Sequence, residues 1–305
     1  MRTDAAVLGF DIGGTRIRVA LADASRVIAT RATSWPPGLS AAEEMEHVAD
    51  FALALAGERW KAEAVSAAGV SLAAMVDAGG VVVSWPNRPQ WRGLPFKAFL
   101  EKRLGAPVMV EDDANSASLA EWQFGAGRGY QNLLVLMAGT GVGCGLILNG
   151  SLFRGSNGWA GELGHQVVLP DGLECPCGRR GCLQTLASGR ALEKSAASRN
   201  LPDAASLSRA AEEGQAWAIE EIAACGGWLG LAAANVVNLL DVEAVIVGGG
   251  LCNLPTAWWD ALAERFEANL LNRSQRRVIL RKAALTEDAG LVGAISLARR
   301  LAGLA

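Results

Sequence analysis

The sequence predicts an α/β protein of duplicated architecture. Three observations lead there. With 305 residues, 51% of them hydrophobic, and 36 glycines, the chain is long enough to bury one or two α/β cores. Short apolar runs alternate along it with longer stretches of helical periodicity. A strand, glycine turn and second strand occur near Asp11 and again near Thr140, so one structural unit appears twice.

Taken in order, Ala5 to Phe10 and Ile17 to Leu21 read as the strands of a hairpin around Asp11-Ile-Gly-Gly-Thr-Arg16. Backbone N–H groups at Gly13 and Gly14, with Thr15 and Arg16, suit phosphate oxygens, and Asp11 suits a magnesium ion held directly or through water. An ordinary hairpin turn has the same composition. Ala41 to Ala56 is a helix, with Met45, Val48, Phe51, Ala52 and Leu55 on one stripe. His47 lies beside that stripe without metal-like neighbours and reads as structural. Val65 to Leu72 and Val81 to Val83 are strands, separated by a turn at Ala78-Gly79-Gly80.

The loop Ser84-Trp-Pro-Asn-Arg-Pro-Gln-Trp91 has two readings. Either Asn87 or Trp91 faces a polyhydroxylated ligand, or the tryptophans anchor the loop to the core. A helix follows around Pro95 to Leu104, then a strand, Val108 to Val110, ending in Glu111-Asp112-Asp113-Ala-Asn115 and a helix over Ala114 to Phe124. Carboxylates at a helix start stay ionised near the positive end of the dipole. Capping by Asp112 accounts for one of them. One carboxylate is then available to take a proton from a substrate hydroxyl.

Asn132 to Met137 is a strand leading into Ala138-Gly-Thr-Gly-Val-Gly-Cys-Gly145. These glycines alternate and enter another strand, so they are not the dinucleotide fingerprint; Gly139, Thr140 and Gly141 form a second phosphate-gripping turn. Leu146 to Leu148, Asn149-Gly150 and Ser151 to Arg154 make a hairpin with a type I′ signal. Ala191 to Leu240 is mostly helical, and Ala218 to Leu240 carries a long apolar pattern. Val242 to Val247 runs as a strand into Gly248-Gly249-Gly250, where backbone can lie flat beside a nucleotide. Ala257 to Leu270 is a helix, Arg277 to Leu280 a strand, and Ala289 to Leu301 a last amphipathic helix.

The sharpest signal is a cysteine-rich knot. His165, Cys175, Cys177 and Cys182 give the spacing His-x9-Cys-x-Cys-x4-Cys, the donor set of a closed tetrahedral zinc site. A disulfide with a spare cysteine is the alternative, disfavoured because no secretory signal precedes the knot. Zinc on one imidazole nitrogen of His165 leaves the other as a fixed donor beside Glu162, which suits a polyhydroxylated ligand; otherwise Glu162 is a solvated carboxylate. Cys144, Cys225 and Cys252 read as buried free thiols. A net charge of −3 gives no footprint for nucleic acid or an anionic membrane. No run of about 18 apolar residues lacks charges or glycine breaks, and Met1 onward reads as a short lead into a strand, so a cytoplasmic location is expected.

These motifs together resemble the ROK family (repressor, open reading frame, kinase) of bacterial sugar kinases over essentially the full chain. Asp11-Ile-Gly-Gly-Thr15, Gly139-Thr-Gly141 and Val247-Gly-Gly-Gly250 match its phosphate and adenosine motifs, Glu111 to Asn115 its catalytic segment, and Gly161-Glu-Leu-Gly-His165 through Cys182 its signature and zinc motif. The resemblance implies a two-lobed actin-like ATPase fold, ribonuclease H-like, with an interlobe cleft. The small lobe would comprise residues 1–111 plus 286–305, and the large lobe 112–285 with the zinc-binding loop. It further implies ATP-dependent phosphorylation of a hexose, usually at the C6 hydroxyl, with Asp113 as the general base. Asn87, Asp112, Asp113, Glu162, His165 and Gln184 would surround the sugar. ATP would meet Asp11, Gly13, Gly14, Thr15, Arg16, Gly139, Thr140, Gly141, Gly248 and Gly249, with magnesium at Asp11 and a structural zinc at His165, Cys175, Cys177 and Cys182. A homodimer is expected.

Three positions depart from the family pattern. Asp112 replaces its usual Asn, Gln184 its frequent Glu, and Ala73-Ala74 its frequent Pro-Gly. All three fall on the sugar side, so altered sugar choice is expected before lost catalysis. A family repressor would need a DNA-binding helix-turn-helix ahead of Asp11, where only ten residues stand. The remaining alternative is a sugar sensor without catalysis.

Overall fold

The structure, a computed structural model, describes residues 5–59 and 65–304. The lead Met1–Asp4 lies outside the described residues. Two compact units divide the chain. The first holds the described residues through Ala120, with Arg154–Ala160 and Glu287 onward; the second holds Glu121–Phe153 and Gly161–Thr286.

In the first unit, β1 (Ala6–Ile12), β2 (Arg16–Ala22) and β3 (Val27–Ser34) form an antiparallel meander. After α1 (Ala41–Arg59), β4 (Val65–Leu72) pairs parallel with β1. A small hairpin of β5 (Met75–Val76) and β6 (Val82–Ser84) and then α2 (Phe96–Leu104) lead to β7 (Val108–Asp112), parallel to β4. The sheet order is β3-β2-β1-β4-β7. β1 is central and buried on both faces, so it reads as a near-continuous apolar run. One face packs Phe10, Ile17, Val48, Leu55, Trp91 and Leu100, and the other packs Val7, Ala20 and Ala67 against Leu291 and Ile295 of α8 (Ala289–Leu301).

The second unit repeats the plan. β8 (Leu133–Ala138), β9 (Val142–Leu148) and β10 (Ser151–Phe153) are again an antiparallel meander, and β11 (Ala244–Gly248) and β12 (Ile279–Lys282) are added in parallel, giving β10-β9-β8-β11-β12. Asn149 and Gly150 have φ of 52° and 67°, the two left-handed residues that a type I′ turn needs. α4 (Gly189–Ser198), α5 (Ala204–Glu212), α6 (Ala216–Leu240) and α7 (Thr256–Ala268) supply the main core. α6 is long and apolar enough by length and composition to cross a membrane. Its Ile222, Leu229, Ala233 and Val237 are buried in this core with Trp258 and Leu262 of α7.

The division differs from the 111/112 boundary and the 112–285 lobe expected from the sequence. β7 runs through Asp112, opposite Leu72, so α3 (Asp113–Phe124) starts from the first unit's sheet. Arg154 Nε donates to Glu111 at 2.6 Å, which fastens the 154–160 segment to the same strand.

The turn after β2 carries a pH-dependent element. Asp23 Oδ1 accepts from the Ser25 amide at 2.7 Å, the Arg26 amide at 2.8 Å and the Ser25 hydroxyl at 2.8 Å. These bonds, the Ser25 amide foremost, hold its carboxyl down at about 2 against an ordinary 3.8. An acid depressed by folding stabilises the fold fully above about pH 4 and loses that contribution as pH falls toward its folded value. Asp23→Ala is therefore expected to be less stable than the parent at pH 7, and denaturant titrations should show the gap narrowing below about pH 4.

Candidate active site and metal centre

The first unit brings several expected site residues to one end of its sheet. Gly13 and Gly14 form the turn between β1 and β2, closed by the Gly13 amide on Arg16 O at 2.9 Å. Thr15 and Arg16 are exposed there. Asn87, also exposed, packs directly against Gly14: a β-carbon on that glycine would meet its Nδ2 at 2.7 Å. Trp85 and Trp91 are buried, so they anchor the loop and Trp91 does not face a ligand. Asp11 Oδ2 accepts from Arg18 Nε at 3.0 Å and Nη2 at 2.8 Å. Burial works against the Arg18 charge, but its bonds to Asp11 and Asp288 outweigh it and raise the guanidinium further. With Oδ2 engaged, any magnesium contact from Asp11 would fall to Oδ1 or to metal-bound water.

The two carboxylates at the start of α3 differ in their surroundings. Asp112 caps the helix: its Oδ1 accepts the Asn115 amide at 2.7 Å and its Oδ2 the Asn115 side-chain amide at 3.0 Å. Glu111 is buried and takes Asn115 Nδ2 and Arg154. Asp113, first residue of the helix, is exposed.

The second unit holds the matching turn. The Gly139 amide donates to Gly141 O at 2.9 Å, and the carbonyls of Gly139 and Thr140 accept the Gly189 and Arg190 amides of α4 at 2.8 and 3.3 Å. Gly248 pairs with Met137 across the parallel strands. Gly249 has φ of 91° and lies flat on Ala138, where a β-carbon would meet backbone N at 2.8 Å; only glycine fits there. The Gly139–Gly141 turn and the Gly248-Gly249-Gly250 motif therefore lie side by side at the ends of β8 and β11.

His165, Cys175, Cys177 and Cys182 converge, their ligand atoms all within 4.8 Å of one another. Cys177 and Cys182 sulfurs are 3.6 Å apart and His165 Nδ1 is 3.7 Å from Cys175 Sγ. A tetrahedral zinc with bonds of about 2.3 Å spaces thiolates about 3.7 Å apart, so the donor set fits. The sulfurs are too distant for a disulfide, which needs about 2.05 Å. Burial pushes the Cys182 thiol up to about 12, whereas for Cys177 burial is outweighed by hydrogen bonds from Arg179, Cys175 and Cys182, bringing it down to about 6. Ligation would displace the Cys182 proton. With Nδ1 turned to the knot, His165 Nε2 faces Glu162 Oε2 at 3.9 Å. Gln184 Nε2 donates to Cys175 Sγ at 3.2 Å, so this amide supports the knot, while its Oε1 lies beside Gly141.

The model of the ROK family matches residues 7–301. The chain belongs to the ROK family. A glucokinase of Streptomyces coelicolor is 35% identical over 313 residues, covering 96% of this chain and 97% of that protein. The ROK hexokinase of Thermus thermophilus matches with a TM-score of 0.86 at 35% identity, over 97% of this chain and 98% of that one. A ROK glucokinase from Streptomyces griseus, solved with glucose and AMPPNP, matches with a TM-score of 0.81 at 34% identity, over 97% and 100%. The repeated five-stranded units of this ROK chain are those of the actin-like ATPase fold.

Sequence reasoning missed Trp35, Glu44 and Arg88, which surround the first turn of this ROK chain. Trp35 Nε1 donates to Gly13 O at 2.9 Å, Arg88 Nη2 to Gly14 O at 3.3 Å, and Arg88 Nη1 to buried Glu44. The one available signal was the repeated dipeptide, Trp35-Pro36 and Trp85-Pro86.

Proposed function

We propose that this chain is an ATP-dependent hexose kinase acting on glucose, an N-acetylhexosamine or a related aldohexose, with Asp113 as its base. The observation that carries the reading is the division of labour at α3, where Asp112 is consumed as a cap and Asp113 remains exposed at the first helical position. Asp113 accepts the proton of the sugar hydroxyl, usually that on C6. The hydroxyl oxygen forms its bond to the γ-phosphorus while the bond to the β–γ bridging oxygen breaks and ADP leaves. Amides of the Gly13-Gly14 and Gly139–Gly141 turns offset the charge on the transferring group. Magnesium, held by the phosphates and Asp11, would add to that screening.

Sugar recognition falls to Asn87, Asp112, Glu162, His165 and Gln184, with Asp112 and Gln184 serving partly through the structures they support. Zinc has no catalytic part; it holds the segment that carries Glu162 and His165. The reading extends to a homodimer in the cytoplasm.

The test is ADP release by purified protein with Mg·ATP against a panel of hexoses, N-acetylhexosamines and fructose. Rapid turnover with an aldohexose or an N-acetylhexosamine is the expected result. If no sugar yields ADP and yet one raises the melting temperature, the chain is a sensor and the kinase reading fails.

A further inference from the structure

The carbonyls of both glycine turns are pinned from behind, by different means. In the second unit the pins are the Gly189 and Arg190 amides at the start of α4, on the carbonyls of Gly139 and Thr140. In the first unit no helix start takes this part among the described residues. Its pins are side chains: the Trp35 indole on Gly13 O and the Arg88 guanidinium on Gly14 O.

Both side chains are themselves fixed. Trp35 meets Trp85 and Trp91 edge to face, with centroids 6.2 and 5.7 Å away, and Arg88 lies over its ring, 3.9 Å from the centroid. Glu44, 3% exposed, accepts from Arg88, Gln90 and the Trp91 indole. A buried carboxylate is tolerated only when its oxygens are so occupied, and this one holds the guanidinium fork in one orientation.

A trans peptide carries its C=O and the following N–H on opposite sides. Pinning the Gly13 carbonyl therefore aims the Gly14 N–H away from Trp35, and pinning the Gly14 carbonyl aims the Thr15 N–H away from Arg88. We infer that Trp35 and Arg88, the latter held by Glu44, are positioning residues that pre-aim the Gly14 and Thr15 amides at the phosphates of ATP. Pre-aimed donors cost no reorganisation when charge develops on the transferring group. The inference rests on the kinase reading above and adds to it the parts that make the first turn a phosphate site.

Two variants test it. Trp35→Phe deletes the indole donor and keeps a ring for its neighbours. Arg88→Lys keeps the charge opposite Glu44 but lacks the fork that serves Glu44 and Gly14 at once. Glu44 is left intact, since its removal would strand a buried guanidinium. In each variant KM for Mg·ATP, and Kd for Mg·AMPPNP by calorimetry, should rise roughly three- to tenfold, the worth of one oriented hydrogen bond, while KM for the sugar stays within about twofold. The inference is overturned if a folded variant keeps the parent's nucleotide constants, or if sugar and nucleotide constants worsen together in step with a lost melting temperature. A parent that binds Mg·AMPPNP but turns over no sugar sinks the kinase reading and leaves the calorimetric comparison standing. A parent that binds no nucleotide sinks both.

Discussion

Asp113→Ala is expected to lower kcat by about a hundredfold to ten-thousandfold, the usual worth of a positioned general base, with little change in melting temperature. The side chain is exposed at the first position of α3, so its loss opens no cavity. Asp112 supplies the contrast, because its two oxygens hold Asn115 at the helix start. Asp112→Ala should cost about 1 kcal/mol of stability as a lost cap, and Asp112→Asn, which restores the residue usual in the ROK family, should retain most of it. Steady-state kinetics and thermal melts on the three variants separate a base from a cap. If Asp113→Ala keeps kcat within a few-fold of the parent while folded, Asp113 is not the base.

Much of this was legible in the sequence because motifs tied to backbone geometry survive without knowledge of the fold. The glycine turns, the Asn149-Gly150 hairpin and the final helix Ala289–Leu301 stand where spacing placed them. What escaped depended on direction or on a partner remote in the chain. β3 is a polar edge strand, with most of Val27–Ser34 at least partly exposed, so no alternation marked it. Nothing local says that Trp91 turns inward to Glu44, 47 residues away. Gln184 was legible as a site residue, but not that its amide would face Cys175. Nor does anything local say that Arg154 reaches Glu111 across 43 residues, an ion pair with no sequence signature.

The proposed zinc site at His165, Cys175, Cys177 and Cys182 is where removal of one component should do the most structural harm. Its backbone is held by isolated bridges between Val167 and Cys182 and between Glu174 and Arg180 and by single bonds within irregular loop, such as Gly181 N to Leu173 O and Cys175 N to Arg179 O, both at 2.8 Å, with no helix or strand of its own from Gln166 to Cys182. Such bonds contribute about 1 kcal/mol each, whereas a structural zinc contributes on the order of 10 kcal/mol in small domains. Without the metal the loop through Cys175 to Cys182 loses its strongest tie, and the His165 ring, one turn after Glu162, loses the ligation that would fix it. The purified parent should carry one zinc per chain. Cys182→Ser, which changes a fully buried member of the cluster, should lose the metal, melt at a lower temperature and turn over sugar more slowly, because the destabilised segment carries Glu162 and His165. Chelation of the parent should do the same, and more readily at acid pH, where protons compete for thiolate and imidazole. A phosphine reductant, which unlike a dithiol does not compete as a thiolate ligand, decides between a metal and a disulfide: with sulfurs 3.6 Å apart, it should leave activity unchanged. An active preparation without zinc, or one inactivated by the reductant alone, would overturn this account of the knot.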